Sequence, residues 1–205
     1  VYKRQAGVSA SQVEINSGIQ FYDGITTAEI QEILIKSASD LIELESPNYQ
    51  FVAARLLLFG VRKKLWGRIH EAPSLGNHIT KCIREGVYDP HFTSKYTDQE
   101  IDELDSYIDH DRDYLFTYAG LRQVTDKYLV QDRSTGDLYE TPQFMYIMIA
   151  ATMFSEYPQE TRLDYVKRYY DAISRHRINI PTPVMGGVRT PIRQFASCVL
   201  VDIDD

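Results

Sequence analysis

The sequence has few cysteines, few basic residues and no long apolar run. Only 2 cysteines occur among 205 residues, too few for a disulfide framework, so Cys82 and Cys198 are first interpreted as reduced thiols. With 22 Lys and Arg against 29 Asp and Glu, the net charge of -7 argues against binding a nucleic-acid backbone, which requires a basic surface. No apolar run approaches the roughly 20 residues that span a bilayer, and no signal peptide is visible. We therefore expect a cytoplasmic protein that binds neither nucleic acid nor membrane.

Common cofactor motifs are also missing. The 5 histidines show no H-x-x-x-H spacing and the cysteines no C-x-x-C, so we predict no metal site in this chain and interpret the histidines as surface residues. The acidic run DHDRD, at 109–113, is explained by the favourable interaction of carboxylates with the first turn of a helix. There is no P-loop and no G-x-G-x-x-G, so the familiar phosphate cradles are absent.

Three consecutive cations, Arg62, Lys63 and Lys64, end an apolar helical run. They are most simply a solvated helix end, where positive side chains lie near the negative end of the helix dipole. The alternative interpretation is that the three cations bind a triphosphate, because clustered cations can neutralise a compact polyanion even on an acidic protein. The sequence leaves both interpretations open.

Helical periodicity dominates the rest of the chain. It predicts helices in the segments SASQVEINSGIQFYDG, TTAEIQEILIKSASDLIEL, YQFVAARLLLFGVRKKLWG, GNHITKCIREGVY, TDQEIDELDSYI, DRDYLFTYAGLRQVTDKYL, TPQFMYIMIAATMF and QETRLDYVKRYYDAIS. In the segment YLVQDRSTGDLYE, apolar and polar residues alternate on either side of a central STG, a pattern that predicts a small β-hairpin. After Asn179 we expect extended structure, because Pro181 and Pro183 disfavour a helix there.

Both ends of the sequence suggest a piece of a longer chain. The first five residues, VYKRQ, are what GTG TAT AAG AGA CAG encodes, and this DNA resembles the end of a transposon adaptor used for sequencing libraries. Residues 1–5 are therefore interpreted as a processing scar. At the other end, VLVDIDD stops with no helix or cap after a predicted strand.

Cys198 stands at the start of that predicted Val-Leu-Val strand. A cysteine there is usually a core residue, and on the residues alone this is the better interpretation. The functional alternative is a redox thiol, with close backbone approach at Gly186 and Gly187 and with hydroxyls from Thr182 and Ser197 near a polar ligand. Cys82, within an amphipathic helix, is assigned to packing.

The stretch PTPVMGGVRTPIRQFASC resembles the large, catalytic subunit of class I ribonucleoside-diphosphate reductase. The similarity also includes GIQFYDGITTAEIQEILIKSASDLI, YQFVAARLLLFGVRKKLWG, YIDHDRD, KYLVQDRSTGDLYETPQFMYI and YPQETRLDYVKRYYDAIS. It extends in order from about Gly7 to Asp205. The resemblance implies an oxidoreductase that makes deoxyribonucleotides by thiyl-radical chemistry with a redox cysteine pair.

The resemblance also implies a mainly α fold with three parts. Residues 6–66 are expected to be the C-terminal half of an ATP cone, and residues 67–178 a helical body with the small β-hairpin. Residues 179–205 are expected to begin a ten-stranded α/β barrel.

Functional residues follow from the same resemblance. Cys198 matches one member of the reducing cysteine pair, while Thr182 and Ser197 match substrate contacts. Ala196 stands where many relatives have serine. Asp205 matches the start of the specificity-effector site.

Thr27 and Lys63 match nucleotide contacts of the ATP cone, where ATP or dATP binds. The rest of that site lies in the missing first half of the cone, so we expect the fragment to bind ATP weakly or not at all.

The implied partners are a small metallosubunit (beta) with a dimetal radical cofactor, a second large subunit, ribonucleoside diphosphates, and thioredoxin or glutaredoxin. ATP, dATP and other dNTPs are the implied effectors, and no cofactor is expected in this chain. The second reducing cysteine and the thiyl cysteine are absent, so the fragment alone is expected to be inactive. Two alternatives are a stand-alone nucleotide-binding or interaction module and one half of a split reductase.

Overall fold

The computed structural model describes residues 7–196, 198, 200 and 201, and this part of the chain is mainly helical, as predicted. The α-helices are α1 (Ala10–Gly18), α2 (Thr27–Asp40), α3 (Tyr49–Trp66), α4 (Leu75–Arg84), α5 (Asp98–Ser106), α6 (Tyr118–Lys127), α7 (Pro142–Met153), α8 (Gln159–Ser174) and α9 (Thr182–Gly187). Two 3₁₀ helices span Pro90–Ser94 and His110–Leu115.

The chain divides into two compact units. The first unit comprises the described residues of Val1–Ala72 together with His110–Asp126, and the second comprises those of Pro73–Asp109 and Lys127–Asp205. Helices α1, α2, α3 and α6, except for its last residue Lys127, belong to the first unit, and the other helices belong to the second.

In the first unit, α2 begins with a capping box. The Glu29 amide donates to Thr26 Oγ1 over 3.2 Å, and the Thr26 amide donates to Glu29 Oε2 over 2.8 Å. These two bonds satisfy amide groups that have no partner within the helix. Helix α2 thus lies within the segment TTAEIQEILIKSASDLIEL, for which helical periodicity predicts a helix.

Helices α2 and α3 are antiparallel neighbours. Only eight residues connect Asp40 to Tyr49, and Gln31 Nε2 donates to the Leu56 carbonyl over 2.6 Å. A short connection favours this arrangement. Helix α3 ends at Gly67, whose φ of 70° lies in the left-handed region that glycine adopts without strain. The first turn of α2 and the last turn of α3 therefore lie at the same end of the helix pair.

The second unit is built around α7, which is buried on all sides. Its central residues from Phe144 to Ala151 are at most 5% exposed, as expected for a helix that is apolar all round. Helix α8 packs on α7, and its buried residues include Val166, Tyr170 and Ile173. Helices α4 and α5 pack on each other, and α9 packs on α7.

The predicted extended structure after Asn179 is wrong for residues 182–187, which form α9. Pro181 is its N-cap and Pro183 its second residue. Proline is tolerated in the first turn, because the amide it lacks would have no partner within the helix. The two prolines therefore mark the start of a helix instead of excluding one.

The predicted β-hairpin is reduced to a turn with one antiparallel bridge between Gln131 and Leu138. The segment predicted as one helix from Asp111 to Leu129 is instead the second 3₁₀ helix followed by α6. No strand occurs among residues 7–196, and none at Cys198, Leu200 or Val201. Leu200 is 96% exposed, so it has no neighbouring layer to pack against.

Candidate functional site around α9

Thr182 occupies the first position of α9, where its side chain is exposed. Its Oγ1 lies 3.2 Å from the Tyr128 hydroxyl. Two hydroxyl groups are therefore adjacent at the surface of the second unit. Each can donate and accept, which suits recognition of a ligand with phosphate or sugar oxygens.

Cys198 lies in the irregular segment after α9, and it is exposed. The expectation of a buried core cysteine is therefore wrong for Cys198. The predicted substrate contact Ser197 and the predicted effector residue Asp205 lie outside the described residues, as do residues 1–5.

Sequence reasoning missed a buried ion pair between Arg189 and Glu140. Both side chains are fully buried, and Arg189 Nε donates to Glu140 Oε2 over 2.9 Å. A second bond runs from Arg189 Nη2 to Glu140 Oε1. Such a pair is stable in a protein interior only when its remaining donors and acceptors are also satisfied.

The structure satisfies them with further hydrogen bonds. Arg189 donates to the carbonyls of Met185 and Tyr128, over 2.5 and 2.9 Å. Glu140 accepts from the Val130 amide at 2.7 Å and from the Tyr88 hydroxyl at 2.5 Å. The pair thus joins α9 to the two chain segments that flank the turn between Gln131 and Leu138.

Two residues of α4, His78 and Cys82, lie next to this polar network, which reaches His78 through the Tyr88 hydroxyl. His78 Nε2 lies 3.0 Å from the Tyr88 hydroxyl, and the His78 ring stacks on Phe144. His78 is 4% exposed, so its assignment to the surface is wrong. Burial, then the charge of Glu140, raises the pKa of Tyr88 well above its ordinary value. Cys82 is fully buried, so this thiol is a packing residue, as predicted. Burial also raises its pKa to about 12.

One sequence signal could have indicated that Glu140 needs a buried cationic partner, although not which one. Glu140 directly precedes the apolar helix TPQFMYIMIAATM, and a lone carboxylate beside such a segment needs a cationic partner when it is buried. Arg189 is 49 residues further on, and nothing in the local pattern selects it from the other arginines.

In the first unit, the predicted nucleotide contacts Thr27 and Lys63 are both exposed. Thr27 is the first residue of α2 and Lys63 lies in the last turn of α3. The antiparallel packing of these helices brings the two residues to the same end of the pair.

Arg62 differs from its lysine neighbours, because it is 2% exposed. It donates to Asp113 Oδ2 over 3.0 Å and to the His110 carbonyl over 2.5 Å. The interpretation of Arg62 as part of a solvated helix end is therefore wrong. The dipole explanation is also insufficient for Asp113, which is 1% exposed and paired with Arg62.

Neither a metal site nor a membrane-spanning helix occurs among the described residues. They contain no group of three or more His, Cys, Asp or Glu side chains arranged to hold a metal ion. No helix in residues 7–196 has the length and apolar character needed to cross a bilayer.

The sequence is similar to known proteins over nearly its whole length. It is 54% identical over 198 residues to ribonucleoside-diphosphate reductase 1 subunit alpha of Escherichia coli (strain K12), covering 97% of this chain and 26% of that protein. It is also 54% identical to ribonucleoside-diphosphate reductase subunit alpha of Haemophilus influenzae and 46% identical to that of Enterobacteria phage T4. Each of these matches covers 97% of this chain and 26% of the relative. A family model described as ribonucleotide reductase, all-alpha domain, matches residues 114–193.

The chain is similar over nearly its whole length to the N-terminal part of ribonucleoside-diphosphate reductase alpha subunits. It spans about a quarter of the length of these curated relatives, at their N-terminal end.

The all-alpha domain of the reductase family includes Tyr128, Glu140, Thr182 and Arg189, so the buried pair and the exposed hydroxyls lie within the matched region. Cys198 lies just beyond it. Thr27 and Lys63 precede it, and they are covered only by the similarity to whole alpha subunits.

Proposed function

We propose that this chain is part of the catalytic subunit of a class I ribonucleoside-diphosphate reductase, and that Cys198 is one member of its reducing cysteine pair. The observation that carries the proposal is the 54% identity to a reductase alpha subunit across 97% of the chain. The exposure of Cys198 supports it, because a thiol that reduces a substrate must be accessible.

The proposed reaction replaces the 2′ hydroxyl of a ribonucleoside diphosphate with hydrogen. A radical generated in the small metallosubunit passes to a thiyl cysteine of the complete subunit, which removes the 3′ hydrogen of the ribose and later returns it. The 2′ carbon–oxygen bond breaks and water leaves. Two cysteine thiols, Cys198 and a partner beyond this chain, supply two electrons and two protons and become a disulfide.

Thr182 and Ser197 are proposed to bind the substrate. Support for Thr182 comes from its exposed hydroxyl beside that of Tyr128, since paired hydroxyls can hydrogen-bond phosphate and ribose oxygens. Residues 179–205 would then begin the catalytic barrel, with Asp205 at the start of the specificity-effector site.

The test uses the complete alpha subunit that carries this sequence, assayed with its small metallosubunit, a ribonucleoside diphosphate and a dithiol reductant. We expect Cys198→Ser to reduce deoxynucleotide formation to background, because serine cannot form the disulfide. Cys82→Ala is the matched control, since a buried packing thiol takes no part in the chemistry. Wild-type turnover by Cys198→Ser would contradict the proposal.

The helix pair of the first unit is proposed to be the second half of an ATP cone, spanning residues 6–66. Thr27 and Lys63 would contact ATP or dATP. The arrangement of α2 and α3 supports this, because an exposed helix N-terminus and an exposed cation at the same end favour an anion.

Lys63→Ala in the complete subunit tests the ATP-cone proposal, with Lys64→Ala as a neighbouring exposed control on the same turn. We expect only Lys63→Ala to weaken ATP binding, by about fivefold or more, as measured by calorimetry. Equal effects of the two substitutions would indicate general electrostatics instead of a specific contact.

The remaining partners follow from the same proposal. The complete subunit would form a homodimer, bind dNTP effectors and a beta subunit with a dimetal radical cofactor, and be reduced by thioredoxin or glutaredoxin in the cytoplasm. The isolated chain should form no deoxynucleotide even with beta subunit and reductant. Product formation by the isolated chain would contradict this assignment.

A further inference from the structure

We propose that Arg189 and Glu140 are positioning residues that hold Thr182 and Tyr128 in register for substrate binding, with Tyr128 as a further substrate contact. This inference rests on the proposed substrate role of Thr182. It adds three residues to that site, two of them fully buried.

Arg189 connects the two elements that carry the exposed hydroxyls. Its Nη1 donates to the carbonyl of Met185 within α9, and its Nη2 donates to the carbonyl of Tyr128. Thr182 begins α9 and meets the Tyr128 hydroxyl at 3.2 Å. One guanidinium group therefore fixes both the helix that bears Thr182 and the backbone that bears Tyr128.

Glu140 fixes Arg189 in turn. Its carboxylate bonds the guanidinium at two nitrogens, accepts from the Val130 amide and accepts from the Tyr88 hydroxyl. A planar guanidinium with this many directed bonds has one favourable orientation. A shift of Glu140 would thus be transmitted to Met185 and Tyr128.

A purely structural role for this pair is the competing interpretation, and the second unit contains a matched comparison. Arg162 and Glu100 form another buried pair, with Arg162 Nε donating to Glu100 Oε1 over 2.8 Å. That pair joins α8 to α5, and neither residue bonds α9 or Tyr128. Loss of either carboxylate should lower stability, but only loss of Glu140 should disturb the Thr182 hydroxyl.

The experiment compares Glu140→Gln with Glu100→Gln in the complete alpha subunit, assayed with beta subunit and dithiol. The thermal midpoint of each variant is measured first. KM for a ribonucleoside diphosphate and kcat are then measured at a temperature well below the midpoints of both variants. We expect Glu140→Gln to raise KM about tenfold and Glu100→Gln to change it less than about twofold. Equal KM changes in the two variants would overturn the inference.

A double-mutant cycle with Thr182→Val tests whether Glu140 acts through Thr182. We expect Glu140→Gln to raise KM much less when Thr182 is already valine, because the two changes remove the same interaction. Full additivity overturns the positioning role and leaves the proposed function intact. An unchanged KM for Thr182→Val alone overturns the substrate role of Thr182 and this inference with it.

Tyr128→Phe tests the proposed Tyr128 contact without disturbing the buried charges, so that part of the inference can be overturned even if Glu140→Gln fails to fold. It removes only the hydroxyl beside Thr182. We expect a severalfold rise in KM with an unchanged thermal midpoint. A wild-type KM would overturn the assignment of Tyr128.

Discussion

Gly187 lies directly against the ring of Phe195. A Cβ atom at Gly187 would be 2.9 Å from Phe195 Cε1 and 3.2 Å from Cδ1, well inside the ordinary contact distance between carbons. The adjacent Gly186 has no described atom within 4 Å of the same position. Of these two neighbouring glycines of α9, only Gly187 therefore has a steric reason to lack a side chain, and the group it contacts is the ring of Phe195, three residues before Cys198.

Gly187→Ala is expected to displace Phe195 and, with it, the segment that ends at Cys198 three residues later. We expect kcat of the complete subunit to fall about tenfold or more, because a small misplacement of a reacting group is costly. Steady-state turnover of a ribonucleoside diphosphate measures the effect. Gly186→Ala is the control and should keep near-wild-type turnover, since its methyl group meets open space.

The two cysteines should differ in reactivity in the native chain. Burial raises the pKa of Cys82 to about 12, so its reactive thiolate is scarce near neutral pH, whereas Cys198 is exposed. Iodoacetamide at about pH 8 should therefore alkylate Cys198 and spare Cys82, as read by peptide mass spectrometry. Both should react in urea, and rapid alkylation of Cys82 in the native chain would contradict its burial.

Local features of the fold could be predicted from the sequence because their determinants are close together. The capping box at Thr26 and a second one at Thr97, where α5 begins, each connect residues three apart. The periodicity that predicts α7 likewise lies within one short segment, TPQFMYIMIAATMF. The error at α9 was also local, since Pro181 and Pro183 are compatible with a first turn as well as with extended chain.

The candidate site was predictable only in part. Thr182 and Cys198 came from the resemblance to a family, and their roles stay predictions. The Arg189–Glu140 and Arg62–Asp113 pairs connect residues 49 and 51 positions apart. No periodicity specifies which distant charges meet when the chain folds, so these pairs could not be derived from local patterns.

Glu100→Gln should destabilise the second unit at neutral pH. Burial alone would raise the pKa of Glu100, but hydrogen bonds from Arg162 and Thr97 outweigh it and hold that pKa below its ordinary value. Glutamine can keep the capping contact with Thr97, so the variant mainly removes the charge opposite Arg162. We expect a loss of about 3 kcal/mol, measured by urea unfolding of the chain.

The pH dependence of that loss has a definite sign. Because the folded-state pKa of Glu100 is depressed, its stabilisation is fully present above the unfolded-state pKa of about 4.3 and declines as pH falls through the folded-state value. The difference in unfolding free energy between wild type and Glu100→Gln should therefore narrow below about pH 5. A difference that stays constant down to about pH 3 would show that the charge is not its source.

Thr141→Val should stabilise the second unit. Thr141 is fully buried as the N-cap of α7, yet its Oγ1 has no hydrogen-bond partner among the described residues. Valine has nearly the same shape and no hydroxyl to desolvate, so we expect a gain of about 1 kcal/mol in the free energy of unfolding. Thr190→Val is the matched control, because Thr190 Oγ1 donates to the Gly187 carbonyl over 2.8 Å and accepts from the Ile192 amide. Thr190→Val should therefore lower the free energy of unfolding by a similar amount. If Thr141→Val also lowered the free energy of unfolding, the Thr141 hydroxyl would have to be hydrogen-bonded in solution.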